Sequence, residues 1–199
     1  MSCRAACQTL EGLPFSLARL ARLVDDPELQ VTAIVDWAAS DPLFVLVRGG
    51  RPYFTRKLRN CSYRGLVNGI AEHLDLDAAD ISSFLQDIGS KVQRQHALTE
   101  LMNTVNELSR ETRRRFVDEI ARTIAFLRTE GDDQVPKLLR IVGGGSCLPN
   151  ITSEVAEASG IETEVWKLPV AADQSFGQEA PGVSPIFATA ISLSAIPLL

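Results

Sequence analysis

Histidine, tryptophan, tyrosine and methionine each occur only twice in the 199 residues, and aromatic side chains make up 6% of the chain. With only His73 and His96 available, a histidine-based metal centre or general acid–base pair has little to be built from. Neither stands near a serine or cysteine in a recognisable nucleophile pattern. The cysteines, Cys3, Cys7, Cys61 and Cys147, are scattered, and the loosely spaced Cys3 and Cys7 have no nearby histidine pair, so a zinc site is not expected. No secretory leader with a charged start and a continuous apolar core precedes them, which makes a reducing cytosol the expected setting. An excess of positive charge is missing too. The 20 Lys and Arg are outnumbered by 25 Asp and Glu, a net charge of −5 that offers no basic face to nucleic acid or to an anionic bilayer. Nor is there a long apolar run. Residues 180–199 lack charge, but Pro181, Pro185 and Pro197 interrupt them and Ser184, Thr189, Ser192 and Ser194 dilute them, so a buried C-terminal helix of small residues is expected rather than a membrane span.

What remains is an ordinary core-forming composition, 45% hydrophobic, patterned into clear elements. Phe15, Leu17, Leu20, Leu23 and Val24 give a short amphipathic helix from Pro14 to Val24, ended by Asp25-Asp26-Pro27. Val31–Trp37, Leu43–Val47 and Arg51–Leu58 predict three strands, the last alternating Tyr53, Thr55 and Lys57 with Phe54, Arg56 and Leu58. Gly49-Gly50 supplies the positive φ values of a tight hairpin, and the three strands form an antiparallel meander. Helical spacing starts at Ser62 with Leu66, Ile70, Ala71 and Leu74, and a second short helix covers Asp75–Ile88. From His96 to Arg128, Leu98, Leu101, Met102, Val105, Leu108, Thr112, Phe116, Ile120, Ile124 and Leu127 recur at three and four, a long helix with one side against a sheet. A fourth strand at Leu138–Val142, a helix at Ile151–Ser159 closed by Gly160, and a fifth strand at Ile161–Lys167 come next. Pro169–Gly182 is expected to be a surface loop before a helix from Ser184 to Ser194. Parallel pairing after the third strand requires those crossovers, and no repeat of solenoid period interrupts the pattern. Arg110, Arg113, Arg114 and Arg115 bunch on the long helix and read as a solvated face balanced by Glu107, Glu111, Asp118 and Glu119.

The stretch most suggestive of function is LLRIVGGGSCLPN at Leu138–Asn150, where a strand breaks into three glycines and a serine before a helix. Without a Cβ, backbone N–H groups approach an anion closely, and a helix start adds unpaired donors and a positive dipole end. The same residues also suit a turn that only redirects the chain.

IVDWAAS at Ile34–Ser40, FVLVRGGRPYFTRKL at Phe44–Leu58, ARTIAFLRTE at Ala121–Glu130, the glycine turn and SPIFATAISLSA at Ser184–Ala195 occur in an order that resembles the actin-like ATPases, above all the second half of the PilM proteins of type IV pilus platforms. The resemblance covers roughly Leu13 to Ala195. It implies a ribonuclease H-like α/β domain over residues 31–199, with a five-stranded mixed sheet and helices on both faces, preceded by a segment 1–30 carrying the short helix. It also implies that Asp36 lies at a phosphate turn completed by Ala38, Ala39 and Ser40, where the carboxylate orients magnesium indirectly. Ala38 stands where the family usually has glycine, and its methyl group would crowd a phosphate. By the same resemblance Gly143, Gly144, Gly145 and Ser146 form the adenosine turn beside the Asp36 bend, and Glu119 and Arg122 match the pair that touches ribose and base, although a surface ion pair is the better-supported expectation for those two. ATP or ADP with magnesium is the implied ligand, not a required one. The first phosphate turn and the acidic residue that activates water belong to a domain for which this chain has no room. Three functions are the resulting expectations. One is a non-catalytic assembly module in a pilus or secretion platform, with protein partners or a second copy of itself, no nucleic acid, and membrane contact only through partners at the cytoplasmic face. Another is a nucleotide-binding ATPase completed by an upstream domain or by dimerisation. The third is a cell-division or cofactor-reactivation relative that shares only the fold.

Overall fold

In the computed structural model, residues 11–24, 31–90, 96–167 and 185–194 are described. Helix α1 (Leu13–Val24) leads into strands β1 (Val31–Asp36), β2 (Leu43–Arg48) and β3 (Arg51–Lys57), then α2 (Tyr63–Leu74), α3 (Ala78–Ser90) and the long α4 (His96–Glu130). Strand β4 (Leu138–Val142), helix α5 (Ile151–Ser159), strand β5 (Glu162–Val165) and helix α6 (Ala188–Ser194) complete it. The strands form one sheet in the order β3-β2-β1-β4-β5, antiparallel within the meander and parallel from β1 to β4 and from β4 to β5. The expected mixed sheet is therefore the one observed. Gly49 and Gly50 both carry positive φ, 55° and 72°, as the twist of a two-residue hairpin demands.

Alternation along each strand divides the core. Ala33, Val35, Phe44, Leu46, Leu139 and Ile141 face the layer of α2, α3, α4 and α5, whereas Ile34, Val45, Val47 and Val142 face α1 and α6 together with Trp166. β1 is buried along its whole length because it is central and covered on both sides. α1 is tied to this second layer by the Trp166 indole, which donates to the Leu20 carbonyl at 3.3 Å, and by Ser192, which donates to the Ser16 carbonyl.

Several boundaries move for local reasons. Asp75 is the left-handed C-cap of α2, so α3 begins only at Ala78, after Asp77 accepts from the Ala79 N–H at 2.7 Å. β5 is confined to Glu162–Val165, and the last helix starts at Ala188 after a turn at 185–187. The arginine cluster does not behave as one solvated face. Arg110, Arg114 and Arg115 do pair with Glu107 and Glu111 in the open, but Arg113 is 8% exposed and bonds Asn106 Oδ1 at 3.2 Å, the Pro149 carbonyl at 3.0 Å and Glu154. It bolts α4 to the start of α5. The expected Pro169–Gly182 loop, Cys3 and Cys7 lie outside the described residues.

Candidate functional site

β1 and β4 run parallel in a register that sets Asp36 opposite Val142, so both strands release the chain at the same end of the sheet. In open α/β sheets that end is where ligands are held. The two exits are then stitched together: Trp37 N–H donates to the Val142 carbonyl at 2.8 Å, and Gly145 N–H donates to the Trp37 carbonyl at 3.0 Å. The glycine turn thus lies beside the Asp36 bend. The turn at 185–187 and α6 close the corner from a third side, because Gly143 N–H donates to the Pro185 carbonyl at 2.8 Å and Thr189 Oγ1 approaches Asp36 Oδ2 at 3.4 Å.

The three glycines are accounted for by what presses on them. A Cβ on Gly143, whose φ is +85°, would fall 2.7 Å from the Trp37 carbonyl group and 2.8 Å from Asp36 Oδ1. On Gly144 it would fall 2.5 Å from the Tyr63 ring, and on Gly145 2.2 Å from the Trp37 ring. No side chain fits at any of the three positions, yet the neighbours that exclude it belong to this chain. Several of the donors are engaged as well. Besides Gly143 and Gly145, Ser146 N–H donates to the Gly143 carbonyl at 3.1 Å and the Ser146 hydroxyl donates to the same oxygen at 2.6 Å. Gly143 leads into a 3₁₀ turn over Gly144–Cys147 and not into α5, which begins only at Ile151. An anion at this turn would have to displace bonds already made.

Trp37, absent from the residues singled out in the sequence, is the keystone of the corner. Its ring stacks on Phe116 of α4 with centroids 3.8 Å apart, and its Nε1–H donates to the Cys61 carbonyl at 2.7 Å. Tyr63, the first residue of α2, is equally invisible to spacing arguments. Ala38 is half-buried, whereas Ala39 and Ser40 are exposed in the loop toward Asp41. That loop reaches α2 through Arg64 N–H, which donates to the Ala39 carbonyl at 3.2 Å.

Burial raises the pKa of Asp36 from its ordinary value, with the Thr189 hydroxyl pulling weakly the other way. A carboxylate in place to receive a metal ion directly would need other oxygen or nitrogen ligands around it. Among the described residues no group of three or more His, Cys, Asp and Glu side chains is placed to hold an ion, so a magnesium ion oriented by Asp36 would draw its other ligands from water and phosphate. Glu119 and Arg122 do pair, at 2.7 Å, and Glu119 also accepts from Arg56 of β3 at 3.1 Å. The first bond lies within α4 and the second ties α4 to β3. Burial pushes the Cys61 thiol up to about 12 and raises that of Cys147, which keeps both protonated and poorly nucleophilic at neutral pH.

No protein-family profile and no curated protein matches the chain. Solved structures do. It is similar to a chain of a PilM-PilN type IV pilus biogenesis complex, with a TM-score of 0.70 and 24% identity over 94% of this chain and 52% of that one. The ethanolamine utilization protein EutJ from Carboxydothermus hydrogenoformans matches at a TM-score of 0.55 and 12% identity, covering 89% of this chain and 54% of that one. MreB 5 of Spiroplasma citri bound to AMPPNP matches at 0.51 and 12% identity, covering 90% and 56%. The chain has the actin-like ATPase fold and spans about half the length of these neighbours.

Proposed function

We propose that this domain is a non-catalytic assembly module of the kind found in the second half of PilM, acting with protein partners at the cytoplasmic side of a pilus or secretion platform and binding nucleotide weakly if at all. The observation that carries this reading is the closed corner: Asp36, Trp37 and Tyr63 fill the space over all three glycines, and the N–H groups of Gly143, Gly145 and Ser146 already bond within the chain. Phosphoryl transfer depends on donors and metal aimed at the developing charge from a preorganised, water-poor cleft. A corner with the Gly143, Gly145 and Ser146 donors engaged and a single carboxylate beside them supplies little of that by itself. The association with partners rests on likeness to a protein named for its complex with PilN. No described helix is long and apolar enough to cross a membrane, and membrane contact enters this reading only through partners. The test is calorimetric titration with magnesium AMPPNP. The expected result is no saturable heat at millimolar ligand. Saturable binding abolished by Asp36→Ala would overturn the reading.

A second reading, a nucleotide-binding ATPase completed by another domain or by dimerisation, draws on two observations. Asp36 and the glycine turn do meet at one end of the sheet, and a neighbour of the same fold carries AMPPNP. The same titration decides between the two, with ATP turnover by a longer form of the protein as its functional counterpart.

A further inference from the structure

The two rings that cover the glycine turn are not held alike. Trp37 is anchored through its indole N–H to Cys61, through its stack on Phe116, and through backbone bonds to Val142 and Gly145. Tyr63 is 7% exposed, and its phenol lies flat enough on Gly144 that a Cβ there would meet Cε1 at 2.5 Å and Cδ1 at 2.8 Å. Its hydroxyl is buried with no hydrogen-bond partner. Ser82 of α3 stands near it, short of hydrogen-bond geometry, and α3 packs over the Gly144–Cys147 turn. A buried hydroxyl without a partner opposes the placement of its own ring, because water is given up and nothing replaces it. The ring is therefore kept in place chiefly by shape and apolar contact.

We infer that Tyr63 is a self-plug: its phenol occupies, on the bare face of Gly144, the place that a planar heteroaromatic ring of a ligand would take, and it keeps such a ligand out. The inference rests on the assembly-module reading and supplies its cause. Once the phenol is removed, the vacated slot has the Gly144 backbone as its floor, with the Ser82 hydroxyl and Cys147 as polar neighbours, and Trp37 still holds Gly145 from the other side. Tyr63, and not Trp37, is the movable part, since only Tyr63 lacks a polar anchor.

The experiment titrates adenosine into the full chain as wild type, Tyr63→Phe and Tyr63→Ala, by calorimetry with intrinsic tryptophan fluorescence as a second readout. Wild type and Tyr63→Phe are expected to give no saturable signal at millimolar adenosine. Tyr63→Phe, which removes the orphan hydroxyl and keeps the ring, is also expected to melt at or above the wild-type temperature. Tyr63→Ala is expected to saturate below about 0.1 mM adenosine, at least about tenfold tighter than the millimolar limit at which wild type stays silent. Tyr63→Leu, which retains apolar volume under α3 but leaves Gly144 uncovered, takes its place if the alanine variant does not fold. A folded variant that binds no better than wild type, where wild type itself is silent, overturns the plug and leaves the module reading standing. Saturable binding by wild type overturns the module reading together with the plug.

Discussion

At Gly145 the space for a side chain is taken by a fully buried indole, 2.2 Å from where a Cβ would stand. Gly145→Ala must therefore move Trp37 off Phe116 or open the backbone bond to it. Overpacking of this kind costs about 1–3 kcal/mol, and urea unfolding is expected to show a loss in that range. Gly69 is the matched control. It is exposed on α2 with nothing within 4 Å of the place a methyl group would take, so Gly69→Ala should stabilise by about 0.5–1 kcal/mol. Asp36 carries a prediction about pH. Because burial raises its folded pKa, the fold favours the neutral acid; that contribution is complete below the unfolded carboxylate value and is lost as pH rises through the folded value. Above the unfolded carboxylate value this burial is a net cost, so Asp36→Asn, which keeps an acceptor for Thr189, should be more stable than wild type at neutral pH. The gain should vanish when unfolding is measured below the pKa of an unfolded aspartate. Wild type matching Asp36→Asn at pH 7 would contradict this. The residues that decide the corner were half legible. Asp36 and the glycines announce themselves by motif, but Trp37 meets Gly145 and Tyr63 meets Gly144 across long stretches of intervening chain, and no local pattern encodes such a meeting.

Elements were more legible than contacts. Hydrophobic period fixed the three-strand meander and the long α4, and glycine chemistry fixed the hairpin at Gly49-Gly50 and the left-handed cap at Gly160. Periodicity speaks of which face is buried and is silent on what bolts two helices together. Arg113 is the example: it belongs by composition to a charged helix face, yet it is buried because the start of α5 brings Glu154 and an open carbonyl at Pro149 to meet it. Arg113→Met should cost about 1–3 kcal/mol, since it frees the Pro149 carbonyl and strands Glu154, which is itself part-exposed and so softens the loss. Arg114→Ala, one residue along and solvent-exposed, should change stability by less than about 0.5 kcal/mol. Equal losses in chemical denaturation would mean that Arg113 carries no special role. At the other end of the same helix pair, Arg128 donates to the Ser159 carbonyl at 2.8 Å, so both ends of α5 are held by arginines of α4.

Across the whole molecule, the sheet is covered on one side by α2 to α5 and on the other by α1 and α6 among the described helices. On that thinner side Leu13, Phe15, Phe187 and Leu193 are exposed. If the module assembles through it with a second copy, sedimentation should be concentration-dependent in the micromolar range, and Phe187→Ser should shift the protein toward monomer without lowering its melting temperature. The change from antiparallel to parallel pairing was legible through the crossover rule, because a strand–helix–strand connection after the meander leaves few other arrangements. Whether the corner at the sheet's end is open or closed depends on side-chain rings meeting backbone, which only the assembled fold reveals. The most direct test is amide hydrogen exchange in the ligand-free protein at Gly143, Gly145 and Ser146. Protection comparable to the β1 and β4 core, unchanged by millimolar magnesium AMPPNP, is the predicted result; rapid exchange that slows only when nucleotide is added would contradict the account.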